Sequence, residues 1–382
     1  MTLSRRKMIL LLGGGAVFAA GTAFGFAATR GPRTAMLPWG QAGGYDDPRM
    51  RALSWALLAP NPHNRQSWLA DLSEPATITL YADPGRMLPE TDPFNRQITI
   101  GLGCFLELLR MAAAEDGHRA ETVLFPEGSD PAALDRRPVA RIILTADPAL
   151  ARDPLFAHVP LRRSNKEPYD LTRTLTPDLL NPLAQSIRGP ARFGGTVDAD
   201  EVASLRALTR EALRIEVETP RTFQESVDLF RIGHAEVDAN PDGIDFTGPL
   251  FESLRLTGQF SRESAADPTS FAFKSGLDAV FANTYTAMGH VWLVTQDNSR
   301  ATQIATGADW LRVNLAATAQ GLGFQPLSQA LQEFPEMAGP YRDIHDRLAP
   351  DGGTVQMLAR IGYGPTVSPS PRWPLESRIL NA

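Results

Sequence analysis

An α+β chain built as two tandem halves is what the distribution of apolar residues predicts. Helical periods recur at residues 98–114, 202–215 and 300–320, and strand-like segments at 77–81, 139–144 and 290–295. The helix, loop, strand, helix, strand order of residues 46–150 is loosely echoed in residues 151–382, which suggests an internal duplication. Hydrophobic residues make up 43% of the 382 and charged residues 21%, enough for a sizeable core.

Residues 1–30 read as an address or an anchor. Arg5, Arg6 and Lys7 precede an apolar, Gly/Ala-rich run to about Ala28, the order of a charged n-region and an h-region. The arginine pair resembles a twin-arginine export signal, which places the protein in the periplasm after passage through the twin-arginine translocase. The run is close to the roughly 20 residues that cross a bilayer, so an uncleaved anchor in the inner membrane is the alternative. No later segment reads as apolar enough to span a membrane. Removing Arg5, Arg6, Lys7 and Arg30 leaves 33 Lys and Arg against 43 Asp and Glu, a net charge of −10. That balance argues against a nucleic-acid-binding or anionic-membrane surface on the folded part. The single Cys104 excludes an internal disulfide and a Cys-based metal cage, and no histidine pair has metal-ligand spacing.

In the first half, Asp46-Asp47-Pro48 starts a helix that Pro60 stops. The loop Ala59-Pro60-Asn61-Pro62-His63-Asn64-Arg65-Gln66-Ser67-Trp68 follows, in which Asn64 and Gln66 present amides suited to the polar edge of a planar heterocycle. The same amides in an Asx-type turn would cap their own backbone. Cys104 falls on the apolar 98–114 helix and reads as a core residue, while Arg96, just before it, is expected at the surface.

In the second half, Arg162-Arg163-Ser164 gathers two guanidinium forks and a hydroxyl, a set matched to phosphate oxygens, or else a solvated basic turn. Thr176-Pro177 reads as a helix N-cap, and helices are expected at 202–215 and 224–236. Residues 238–275 are broken by Pro and Gly and read as a long irregular insertion, a lid. A long helix over 300–320 is left through Gly321-Leu322-Gly323, followed by Pro326-Leu327-Ser328.

Taken together, these stretches resemble the FMN-dependent nitroreductase family, and more closely its internally duplicated, Acg-like branch. The 59–68 loop is similar to that family's Pro-Ser-x-x-Asn-x-Gln-Pro-Trp signature, with Asn61 where Ser is usual and Ser67 in place of the second Pro. Arg162-Arg163-Ser164 resembles its phosphate-binding start, and Arg372 its last basic contact. The resemblance implies a nitroreductase-like fold in which one chain imitates the family homodimer as a monomeric pseudo-dimer. It implies FMN bound by Asn64, Gln66, Arg162, Arg163, Ser164, Pro326, Leu327, Ser328 and Arg372. The backbone N–H groups of Leu327 and Ser328 would face the flavin, and Arg163 and Arg372 would matter more to the phosphate than Arg162. The implied activity is electron transfer to a nitroaromatic or quinone-like acceptor, and the alternative is an FMN storage protein without turnover. No catalytic side chain stands out, because the flavin would carry the chemistry.

Overall fold

The computed structural model describes residues 31–381, so the arginine pair and apolar run of residues 1–30 lie outside the described residues. The chain opens with α1 (Leu37–Gln41) and α2 (Pro48–Ala56). Asp47 caps α2 by accepting from Arg49 N, with Pro48 at the first helical position. Then come β1 (Trp68–Asp71), β2 (Thr77–Ala82), α3 (Arg96–Glu115), β3 (His118–Leu124) and β4 (Pro138–Ala146). The second half begins with α4 (Asn181–Gln185), β5 (Arg192–Thr196) and α5 (Ala199–Glu218). A stretch of short elements follows: α6 (Pro220–Asp228), β6 (Phe230–Ile232), α7 (His234–Ala239), β7 (Ile244–Phe246), α8 (Pro249–Leu256), α9 (Arg262–Ala266) and α10 (Phe271–Thr284). The chain closes with β8 (Gly289–Thr295), α11 (Arg300–Ala319), β9 (Gly323–Pro326), α12 (Ala338–Leu348), β10 (Thr354–Gly362) and β11 (Ile379–Asn381).

The fold is α+β, with one sheet in the order β11-β1-β2-β4-β3 and another in the order β5-β8-β10-β9. Within these two sheets neighbours are antiparallel except at one edge, where β11 runs parallel to β1 with Ala70 opposite Ile379, and the short β6 and β7 form a separate parallel pair. The last strand of the chain therefore completes the sheet of the first half. Two helices of 20 residues, α3 and α11, pack on each other, and both are buried along most of their length. Helix α3 has the length and hydropathy of a membrane span, contrary to the expectation that no segment after residue 30 would, but 94% of its apolar window is buried in the core.

The α3–α11 crossing is reciprocal. A Cβ built on Gly103 would lie 2.1 Å from Ile304 O, and one on Gly307 would lie 2.0 Å from Ile100 O. Gly103 and Ile100 stand at the same steps after Arg96 as Gly307 and Ile304 do after Arg300. The two arginines also exchange places. Arg96 crosses to Gln356 O at 2.8 Å and Glu333 at 3.1 Å, and Arg300 crosses to Phe94 O at 2.7 Å and Thr99 Oγ1 at 3.1 Å. Arg96 is thus not a surface residue: its hydrogen bonds to the other half draw it into the interface, where it is 1% exposed.

Three other expectations change. Residues 224–236 are not one helix, because Gly233 at φ 86° separates α6 and β6 from α7. Thr176 makes no side-chain cap, and a 3-10 turn of Pro177–Leu180 stands there. Nor is the 238–275 stretch irregular. Its breakers start helices instead of preventing them: Pro249 opens α8 after Gly248, Ser261 forms a capping box on α9, and Ser270 caps α10.

Candidate functional site

A cleft of about 80 Å³ opens where the two halves meet. The 59–68 loop contributes Pro60, Asn61 and Pro62, and the start of α3 contributes Gln97, Ile100, Gly101 and Cys104. The second half adds Ser164, Trp310, Pro326, Ser328 and Met357. Gly101 is needed here, since a Cβ on it would sit 3.2 Å from Pro62 Cδ and 3.3 Å from Asn61 Cβ. Apolar walls with a few convergent polar groups are the usual make-up of a small-molecule site.

The loop is held in a conformation that side chains seldom adopt. His63, Asn64 and Gln66 have φ of 48°, 50° and 52°, and left-handed backbone at a non-glycine residue persists only where its surroundings impose it. The surroundings are the predicted amides themselves. Gln66 is fully buried, donating Nε2 to Pro241 O at 2.7 Å and accepting from Trp373 N at 2.9 Å, while its own N–H donates to Asn61 Oδ1 at 2.7 Å. Asn64 donates Nδ2 to Pro371 O at 3.0 Å and accepts from Arg372 Nη1 at 2.7 Å. Both therefore brace the loop against the C-terminal segment, and Asn61 is the loop amide on the cleft wall.

Beside the loop, Arg162, Arg163 and Arg372 come together. Arg372 is 2% exposed, and all its N–H groups meet protein acceptors: Leu57 O at 2.6 Å, Leu58 O at 3.3 Å, Ala59 O at 3.2 Å, Asn64 Oδ1 at 2.7 Å and Pro371 O at 2.9 Å. It caps the carbonyls at the end of α2. Arg163 donates to Pro160 O at 2.8 Å and Val367 O at 3.3 Å and lies over the Trp39 ring at 4.9 Å. Arg162 is also buried and gives Nη2 to Leu58 O at 3.0 Å, but its Nη1 is buried with no partner among the described residues. None of the three forms an ion pair among the described residues. Burial, and then their mutual charge, lowers Arg372 to about 9; burial first, with Arg163 also contributing, lowers Arg162 to about 10.

The Pro326-Leu327-Ser328 turn divides. Pro326 and Ser328 line the cleft, but Leu327 is buried in the core and its N–H is committed to Leu358 O at 2.8 Å. The expected flavin-facing N–H of Leu327 is thus taken by pairing next to the β9–β10 ladder. The structure adds residues that the sequence did not single out. Gln97 is 9% exposed, with Nε2 buried and unpartnered among the described residues. The sequence reading placed its neighbour Arg96 at the surface, and nothing local distinguishes Gln97, Trp310 or Met357 from other residues of their helices and strands. Cys104 lies on the wall, its thiol pushed up to about 12 by burial and bonded to Gly307 O at 3.1 Å, so it is no nucleophile. Burial, reinforced by Lys166 and Arg65, holds His63 neutral with a pKa of about 4.

The root of the 238–275 insertion sits on this loop. Asp242 bridges Arg86 at 2.6 Å, Arg231 at 2.8 Å and Arg65 at 3.3 Å, and Gly243 N donates to Asn64 O at 3.3 Å.

No protein-family model matches the chain. Among curated proteins, it is 28% identical over 331 residues to "Putative NAD(P)H nitroreductase acg" of Mycobacterium tuberculosis, covering 84% of this chain and 90% of that one. It is 25% identical over 326 residues to "Putative NAD(P)H nitroreductase Rv3131" of the same organism, covering 84% and 87%. Among solved structures, a nitroreductase-like family protein from Bacillus cereus aligns with a TM-score of 0.32 at 14% identity, covering 60% of this chain and 95% of that one. The FMN-dependent nitroreductase NfnB from Mycobacterium smegmatis, in complex with NADPH, aligns with a TM-score of 0.31 at 16% identity, covering 56% and 92%. Over most of its length, then, the chain is similar in sequence to proteins named as nitroreductases.

Proposed function

We propose that the chain binds one FMN in this cleft and is an oxidoreductase that passes electrons to nitroaromatic or quinone-like acceptors. One observation carries the reading: Arg162, in a cluster of three arginines that makes no ion pair among the described residues although the Asp245 carboxylate is near enough to act on Arg372, keeps a buried nitrogen unbonded. An unmet buried guanidinium donor is costly, and a phosphate would meet it with a charge-assisted bond. Gln97 Nε2, likewise buried and unmet, would donate to a carbonyl of a bound heterocycle, and the Ser164 and Ser328 hydroxyls add donors on the same walls. FMN, when bound, supplies the one- and two-electron chemistry that the side chains lack. The residues present fit that group. Ile100, Trp310 and Met357 exclude water, Arg372 holds the loop that carries Asn61, and Arg162 takes the role of the principal phosphate donor. The names of the sequence relatives point the same way.

The pseudo-dimer reading is supported by the reciprocal α3–α11 crossing, and export through the twin-arginine route remains part of the proposal. Storage of FMN without turnover is a second reading, favoured by the clamp of Asp242, which holds the insertion against the loop of the cleft. Reconstituted protein mixed anaerobically with NADPH, with a quinol, and then with a nitroaromatic acceptor separates the two. Bleaching of the flavin followed by its recovery at catalytic rates is the expected result, and reduction by dithionite alone, with no recovery on the acceptor, would establish storage.

A further inference from the structure

Residues 33–41 form a strap over the arginine cluster. Arg33 N donates to both carboxylate oxygens of Asp238 on α7, at 2.8 and 3.1 Å, and Ala35 N donates to Oδ1 at 3.0 Å. Arg372 N in turn donates to Ala35 O at 2.9 Å. The strap is thereby tied to α7 on one side and to the C-terminal segment on the other, and α1 carries the half-buried Trp39 across the guanidinium groups. Arg163 lies over the Trp39 ring at 4.9 Å and Arg372 at 5.6 Å, and the indole Nε1 donates to Ser370 O at 2.8 Å.

An indole suits this place better than a carboxylate. Clustered guanidinium groups repel one another, and a carboxylate would offset that only by filling their N–H groups with its own oxygens. An aromatic face attracts a cation through its quadrupole and has no oxygen to offer, so it offsets charge and leaves the donors to another acceptor. Arg372 has none to spare, since backbone carbonyls and Asn64 take all of them. Arg163 does: Nε goes to Val367 O at 3.3 Å, Nη1 goes to Pro160 O at 2.8 Å and Arg162 O at 2.7 Å, and Nη2 has no partner among the described residues. Its chain neighbour Arg162 has an unmet Nη1. We propose that Trp39 is a positioning residue of the phosphate site, which fixes Arg163 so that its free Nη2 and the free Nη1 of Arg162 meet one phosphate together. A long, flexible side chain gains from such fixing because its ordering cost is met before the ligand arrives. The inference rests on the reading that FMN occupies the cleft.

The test is calorimetric titration of the full chain with FMN and with riboflavin, which lacks the phosphate. The variants are Trp39→Leu, Trp39→Phe, and Trp39→Leu combined with Arg163→Ala. Trp39→Leu removes the aromatic face and should weaken FMN by about tenfold while leaving riboflavin within about twofold of the wild type. Trp39→Phe keeps a face, guards against a leucine variant that does not fold, and should lose no more than about threefold for FMN. In the Arg163→Ala background, Trp39→Leu should cost nothing further, because the ring acts through that arginine. Equal loss of FMN and riboflavin in either single variant would make the ring merely structural and overturn the proposal. So would a full further loss on top of Arg163→Ala, or FMN binding untouched in the leucine variant. Wild-type protein that binds neither flavin would instead sink the cofactor reading, and this role with it.

Discussion

Glu216 on α5 shows how one buried residue ties stability to pH. It is 7% exposed beside Gln332, and burial, reinforced by the charge of Glu225, raises its pKa from 4.5 to about 7. The folded state therefore holds this proton more tightly than the unfolded chain does. Its contribution is fully present below pH 4.5 and is lost as pH climbs through 7, at a cost on the order of 3 kcal/mol. Glu216→Gln, neutral at every pH, should match the wild type near pH 5 and exceed it at pH 8 in urea midpoint, and an equal difference at both values would refute the assignment. At this scale the sequence was legible in chemistry more than in role. Asn64, Gln66 and Arg372 were singled out as ligand contacts, and the half-buried Asn64 and the buried Gln66 and Arg372 meet one another's needs in a brace. A motif records that an amide is needed; whether it faces a ligand or the next segment depends on residues hundreds of positions away.

At the scale of elements, the α3–α11 crossing makes the sharpest demand. Gly103→Ala or Gly307→Ala would drive a methyl into a backbone carbonyl of the other helix, which no side-chain motion relieves. Each should cost about 3 kcal/mol or more, and by similar amounts because the contact is reciprocal. Gly276→Ala in α10 meets nothing within 4 Å and should instead stabilise by up to about 1 kcal/mol. Urea unfolding of the three variants checks this, and indifference at Gly307 with a large loss at Gly103 would remove the reciprocity. The long helices were legible because their apolar period is local and extends over 20 residues. The strands at one side of the first sheet were not: β1 and the edge strand β11 are short, and β11 exists only by pairing with a strand some 300 residues earlier. The short helices of the insertion leave no clear local signal, because the Pro and Gly that ordinarily break structure here stand at helix starts.

Over the whole molecule, the halves are interlocked: the C-terminal segment crosses back, carries Arg372 to the end of α2, gives Trp373 N to Gln66 and ends in the first sheet. Ending the chain at Ser370 should therefore unfold the 59–68 loop and abolish ligand binding, though it removes no residue that lines the cleft. The α+β class could be read from the apolar periods along the chain. The division of labour among the three arginines could not, because it depends on which N–H groups the protein's own carbonyls already occupy. Calorimetric titration of the full chain with FMN and with riboflavin, in the wild type and in Arg162→Ala, tests that division most directly. One FMN per chain is expected, with Arg162→Ala weakening FMN by roughly 2–3 kcal/mol while leaving riboflavin, which lacks the phosphate, nearly unchanged. Equal weakening of both ligands, or FMN affinity untouched by the substitution, would contradict the account.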